Sequence, residues 1–126
     1  MSGVEKVFAQ AKAENRAALI GYLPAGYPTV DESVGLLSAL VEGGCDLLEV
    51  GVAYSDPVID GPTVQMATEK ALKAGVRLKD LFSVVERVSA AGCPAVVMTY
   101  INPVLRYGVA AFARDLANAG GLGLIT

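Results

Sequence analysis

Compact apolar runs alternate along the chain with longer stretches in which apolar residues recur every three or four positions. "AALIGYLPAG" (Ala17 to Gly26), "DLLEVGV", "PAVVMTY" and "LGLIT" are the compact runs, bounded by Gly, Pro or Asp. Their shortness and punctuation predict buried strands. Val34, Leu37 and Val41 are spaced for a helix, as are Leu78, Leu81, Val85 and Val88, and then Val109, Phe112 and Leu116. The first of these helices opens on "TVDE", Thr29 to Glu32, which has capping-box spacing, and stops at Gly43-Gly44. Pro62 opens a further helix at its first position, and that helix runs through Ala67 and Leu72 to Gly75. The remaining two helices end near Gly92 and at Gly120-Gly121.

The resulting order is strand, helix, strand, helices, strand, helix, strand. Alternation of this kind implies right-handed crossovers and a parallel sheet. A weak internal repeat agrees: "EGGCDLLEV", "AAGCPAVVM" and "NAGGLGLI" each place a helix-ending Gly just before a buried strand. No linker or low-complexity segment divides residues 1–126, which read as one domain.

Composition sharpens this picture. The apolar fraction is 53%, with few aromatics and no Trp. Ala, Val and Leu supply most of it, which suits a sheet covered by helices. The net charge is −3 and the basic residues are scattered, so no nucleic-acid surface is expected. "MSGVEKVFAQAKAENR" is amphipathic and lacks the apolar centre of a signal peptide. No run approaches the roughly 18 apolar residues that span a membrane, and a cytoplasmic location is expected. Cys45 and Cys93 have no metal-type spacing and read as reduced core residues in helix-to-strand turns. No metal site is expected. The chain has no His, so acid–base chemistry falls to other groups.

Ligands of parallel α/β folds bind at the carboxyl ends of the strands. The loops there are "PAGYPT", "AYSDPVIDGP" and "INPVLRYG". Glu49 lies near the end of the second strand, on one face with Leu47, while Leu48 and Val50 share the other. A carboxylate in an apolar strand is paired, protonated or functional, because burying it charged and alone is costly. No Lys or Arg lies within a dozen positions of Glu49. Asp60 reads either as a turn or N-cap residue before Gly61-Pro62, or as a second acid of a site. Asp56 reads as an Asx-type turn and Asn102-Pro103 as a turn; Tyr22 and Tyr100 fit either the core or a platform for a planar ligand.

"LLEVGVAYSDPVIDGPT" closely resembles the signature of the tryptophan synthase alpha chain family. The shared pattern is apolar, Glu, apolar, Gly, two residues, aromatic, Ser-Asp-Pro, two residues, Asp-Gly. "RAALIGYLPAGYPT", "VVMTYINPVLRYGV" and "FARDLANAGGLGLIT" resemble the same family in the same order, from Asn15 onward. The resemblance implies a (β/α)8 TIM barrel, of which this chain holds the first four strands. It implies retro-aldol cleavage of indole-3-glycerol phosphate to indole and glyceraldehyde 3-phosphate. It makes Glu49 the acid/base and Asp60 the carboxylate that stabilises charge on the indole nitrogen. Tyr22, Met98 and Tyr100 match the indole pocket. Ala53, Asp56, Pro57, Asn102 and Pro103 match the side that docks on a beta chain, within a segment reaching Tyr107. No cofactor is implied for this chain; pyridoxal phosphate belongs to the beta chain.

Three departures accompany the resemblance. Ala53 stands where the family usually has Pro, and Ile101 where related sequences often carry a bulky aromatic. A complete barrel is about twice this length, and its phosphate site usually lies on loops after strands seven and eight. The expectation is a half-barrel with open sheet edges that pairs with itself or with the other half. The alternative to an enzyme is therefore a non-catalytic module that binds a beta chain or its own copy.

Overall fold

The computed structural model of the protein describes residues 3–126. Helix α1 (Gly3–Ala13) precedes strand β1 (Ile20–Pro24), and helix α2 (Val30–Glu42) leads to strand β2 (Leu47–Gly51). Helices α3 (Pro62–Lys73) and α4 (Leu78–Ala90) separate β2 from β3 (Ala95–Met98). Helices α5 (Ile101–Tyr107) and α6 (Val109–Asn118) then lead to β4 (Leu124–Ile125). The four strands form one parallel sheet in the order β1-β2-β3-β4. This is the expected α/β arrangement, a run of strand–helix units in chain order.

Local chemistry sets the boundaries. The Thr29 hydroxyl accepts the Glu32 N–H at 3.3 Å and donates to the Glu32 carboxylate at 3.0 Å, so Thr29 caps α2 as its spacing predicts. Pro62 occupies the first turn of α3, but the N-cap is Gly61 rather than Asp60. The repeat before the strands is a physical unit. Gly44, Gly92 and Gly120 are left-handed at φ 109°, 85° and 88°. Each donates back to a helix carbonyl, and the next residue donates one position earlier, as in Cys45 to Leu40 and Cys93 to Val88. That is the Schellman ending, which a residue with a side chain adopts only at a cost. Both cysteines are free and sit at these turns; Cys93 is buried, whereas Cys45 is only half-buried.

The segment 101–107 departs from the sequence reading. "INPVLRYG" and its Asn102-Pro103 pair read as a loop with a turn, yet they form α5. Pro103 falls in the first turn, where the backbone N–H has no helical partner, so the ring breaks nothing. Val104 anchors the short helix at 1% exposure. Gly108, at φ 100°, divides α5 from α6.

The two faces of the sheet differ as the alternation predicts. Leu48 and Val50 of β2, with Ala95 and Val97 of β3, pack against Leu37 of α2, Val84, Val85 and Val88 of α4, and Phe112 of α6. Leu47, Glu49 and Gly51 face the other side, aligned in register with Ile20, Tyr22 and Pro24 of β1.

At the amino ends of the strands, Arg16 grips Asp46 with two bonds of 2.7 and 2.8 Å, and the Leu19 N–H donates to the same carboxylate at 2.8 Å. The guanidinium and the amide together hold the Asp46 carboxyl down at about 2, from an ordinary 3.8. A depressed acid stabilises the fold above its unfolded value, and that stability is lost as pH falls through the folded one. Urea midpoints are therefore expected to drop between pH 3.8 and about 2. Asp46→Asn is expected to flatten this part of the profile; an unchanged slope would assign it to other carboxylates.

Candidate functional site

Three backbone features gather the candidate residues at the carboxyl ends of the strands. The first is sheet register. Tyr22 on β1 lies beside Glu49 on β2, which lies beside Val96 on β3, and Gly51 lies beside Met98. The Tyr22 ring extends over Gly51, where any Cβ would collide with the phenol. Gly51 is thus a site residue that sequence reasoning passed over, although a Gly in a buried strand signals a close approach.

The second is the β2–α3 loop. Asp60 N–H donates to Pro57 O at 3.2 Å, and Val58 N–H to Asp56 O at 2.9 Å, making a compact turn. Asp60 keeps the turn role read from the sequence, but its side chain caps no helix. The Asp56 carboxylate is exposed and makes no hydrogen bond among the described residues, so no Asx turn forms. The third is Tyr100, the residue before α5. Its hydroxyl accepts the Ile59 N–H at 3.0 Å, and its ring meets Tyr54 at 5.3 Å between centroids.

These contacts enclose a cleft of about 590 Å³ lined by Tyr22, Val52, Ile59, Asp60, Met98, Thr99, Tyr100, Ile101, Ile125 and Thr126. Its size falls in the range of small-molecule sites. Every sequence-identified pocket residue lies in it: Tyr22, Met98 and Tyr100, with Asp60 at its wall. Glu49 is not a wall residue of the cleft. It is half-buried, directly beside Tyr22 in the sheet, and has no ion-pair partner among the described residues. The Tyr22 phenol lies within electrostatic reach of both acids. Its pKa is pushed up to about 12, first by burial and then by the negative charges of Asp60 and Glu49. Ile101, which stands where related sequences often carry a bulky aromatic, lines this cleft.

A second cleft of about 380 Å³ lies across the Tyr54–Tyr100 contact. Ala53, Tyr54 and Ser55 of the loop line it together with Pro103 and Arg106 of α5 and Arg77 before α4. This brings Ala53 and Pro103, two of the docking candidates, to one surface. Asp56 and Asn102 are exposed outside that lining, and Pro57 is half-buried. No cluster of His, Cys, Asp and Glu suited to a metal occurs among the described residues. No helix among them is long and apolar enough to cross a membrane.

Residues 8–126 match the family model described as tryptophan synthase alpha chain. The chain belongs to that family. The tryptophan synthase alpha chain of Nocardia farcinica is 66% identical over 125 residues, which cover 99% of this chain and 47% of that one. A solved tryptophan synthase from M. tuberculosis, in its open form, superposes with a TM-score of 0.95 at 65% identity, covering 98% of this chain and 49% of that one. A tryptophan synthase complex from Pyrococcus furiosus superposes with a TM-score of 0.81 at 37% identity, covering 86% and 45% of the two chains. The chain thus spans about half the length of the relatives it matches. The parallel sheet here corresponds to the first four strands of the family's barrel.

Proposed function

We propose that the cleft takes indole-3-glycerol phosphate and supports its retro-aldol cleavage to indole and glyceraldehyde 3-phosphate. The observation that carries the reading is the half-buried Tyr22, which pairs in register with Glu49 and lines the same cleft as Asp60. Cleavage needs a proton delivered to the indole ring carbon that bears the side chain. As the carbon–carbon bond breaks, the adjacent hydroxyl gives up its proton and becomes the aldehyde. Glu49 serves as the group that exchanges these protons. Positive charge develops on the ring nitrogen, and Asp60 at the cleft wall stabilises it. Tyr22, Met98 and Tyr100 hold the planar ring. No step calls for a cofactor in this chain. The family's role in biosynthesis fits a cytoplasmic protein.

The test is indole release from indole-3-glycerol phosphate by the chain, alone and with a beta chain present, with Glu49→Gln as the control. Release that depends on Glu49 supports the reading. Binding of a beta chain without any release replaces it with that of a binding module.

The docking surface is the loop side of the second cleft, with Ala53, Asp56, Pro57, Asn102 and Pro103. Its apolar neighbours are unusually open: Val58 is 72% exposed, and Leu105 is 61% exposed. Exposed apolar surface of this kind marks contact sites. The partner is a beta chain carrying pyridoxal phosphate, as in a tryptophan synthase complex. Ala53 leaves the loop more backbone freedom than Pro, a difference of about 0.4–1 kcal/mol. Ala53→Pro is expected to tighten beta-chain binding by roughly two- to fivefold. Equal affinity and equal activation in a beta-chain titration would sink this expectation.

A further inference from the structure

The main chain around Asp60 is held from two sides by groups outside the loop. Gln65 sits in the first turn of α3, where its own N–H closes on Gly61 O at 3.0 Å. Its side-chain nitrogen donates to Asp60 O at 2.6 Å and lies 3.3 Å from Pro57 O. Both acceptors are carbonyl oxygens, so only the donor end of the amide fits there. Pro57 O also receives the Asp60 N–H at 3.2 Å. From the other side, the Tyr100 hydroxyl takes the Ile59 N–H at 3.0 Å. The N–H and carbonyl of Asp60, and the N–H before them, are thereby all engaged. Asp60 lines the cleft, and its carboxylate is the part of it left without a hydrogen bond among the described residues. Gln65 itself lines no part of that cleft.

We infer that Gln65 is a positioning residue that, together with the Tyr100 hydroxyl, holds the main chain from which the Asp60 carboxylate reaches the cleft. The inference rests on the reading of Asp60 as a working carboxylate. The reason for a clamp is geometric. Asp60 lies on a loop whose apolar side chains are largely exposed, Ile59 at 85%. Little hydrophobic packing holds such a loop, so its precision comes from polar contacts to rigid elements. Gln65 is rigid because it belongs to a closed helical turn. Tyr100 is rigid because its neighbour Thr99 donates its N–H to Ile125 O in the sheet at 3.0 Å. A loop free to turn spends part of its time with the carboxylate elsewhere, and turnover falls by that fraction.

Gln65→Glu and Gln65→Met test this, with Tyr100→Phe and Asp60→Asn for comparison. Glu matches Gln in shape and helix preference but presents oxygen to two carbonyl oxygens; Met removes the donor without adding charge. Amide exchange of the chain is read by NMR. The Asp60 amide is expected to exchange roughly two- to twelvefold faster in both Gln65 variants, the value of one net hydrogen bond. Glu is expected to exceed Met, and the melting temperature is expected to fall by no more than the few degrees that one hydrogen bond is worth. Tyr100→Phe is expected to release the Ile59 amide. Unchanged exchange at Asp60 overturns the clamp whatever the activity. In indole-release assays kcat is expected to fall by the fraction of time that the carboxylate is turned away, with KM held, since Gln65 touches no part of the cleft. An intact kcat in Gln65→Glu, beside a disabled Asp60→Asn, overturns the positioning role and leaves the reading of Asp60 standing. A silent Asp60→Asn overturns that reading instead, and the clamp is then judged on exchange alone.

Discussion

Glu49→Gln is expected to lower indole release from indole-3-glycerol phosphate by about 10²–10⁴-fold, the range that a positioned acid–base group contributes. The side chain is half-buried in β2, beside Tyr22, with no ion-pair partner among the described residues. The amide keeps the shape and the strand position but exchanges no proton in the working range. The loss should therefore appear in kcat, with KM little changed, because the ring-binding contacts of Tyr22, Met98 and Tyr100 remain. Stability should hold or rise, since an unpaired carboxylate in a strand is a burden to folding. Steady-state indole release beside a thermal melt reads both quantities. A variant that keeps its rate within about threefold of the parent would exclude proton exchange at Glu49 from the chemistry. A variant that loses both rate and stability would mark Glu49 as a structural residue.

The second large effect concerns the helix layer. Phe112→Ala is expected to destabilise the chain by about 3–5 kcal/mol, the usual loss when a large aromatic is cut from a core. Phe112 is fully buried and meets Phe82 edge-on at 5.3 Å and Tyr107 at 5.9 Å. It ties α6 to α4 and, through Tyr107, to α5, whose seven residues are too few to hold a helix alone. The domain has few other large side chains to refill the space, with three Phe and no Trp. Against a typical total of 5–15 kcal/mol this is a large share. Urea denaturation followed by far-UV dichroism checks it. A loss below about 1 kcal/mol would mean that the layer closes over the gap.

Much of this protein is settled by neighbours along the chain. Thr29, Pro62 and the Gly residues after α2, α4 and α6 act within a few positions of themselves, so helix ends could be read directly from sequence. The alternation in "DLLEVGV" turns Leu48 and Val50 to the helices and Glu49 away from them, because side chains of a strand alternate whatever lies beyond it. The family signature is likewise contiguous, and so it marked Glu49 and Asp60. What tertiary structure decided involves partners far apart in sequence. Segment 101–107 carries Asn, Pro and a following Gly, all turn-forming signals; burial of Val104 and the packing of Tyr107 on Phe82 make it helical. Gly51 gains its meaning only when parallel pairing brings Tyr22 over it. The loop before Asp60 is pinned to the sheet only when Tyr100, 41 residues from Ile59, takes the Ile59 N–H. Local spacing fixes which face a residue takes, but a hydrogen bond across the sheet's end depends on register, and register exists only once the strands have paired.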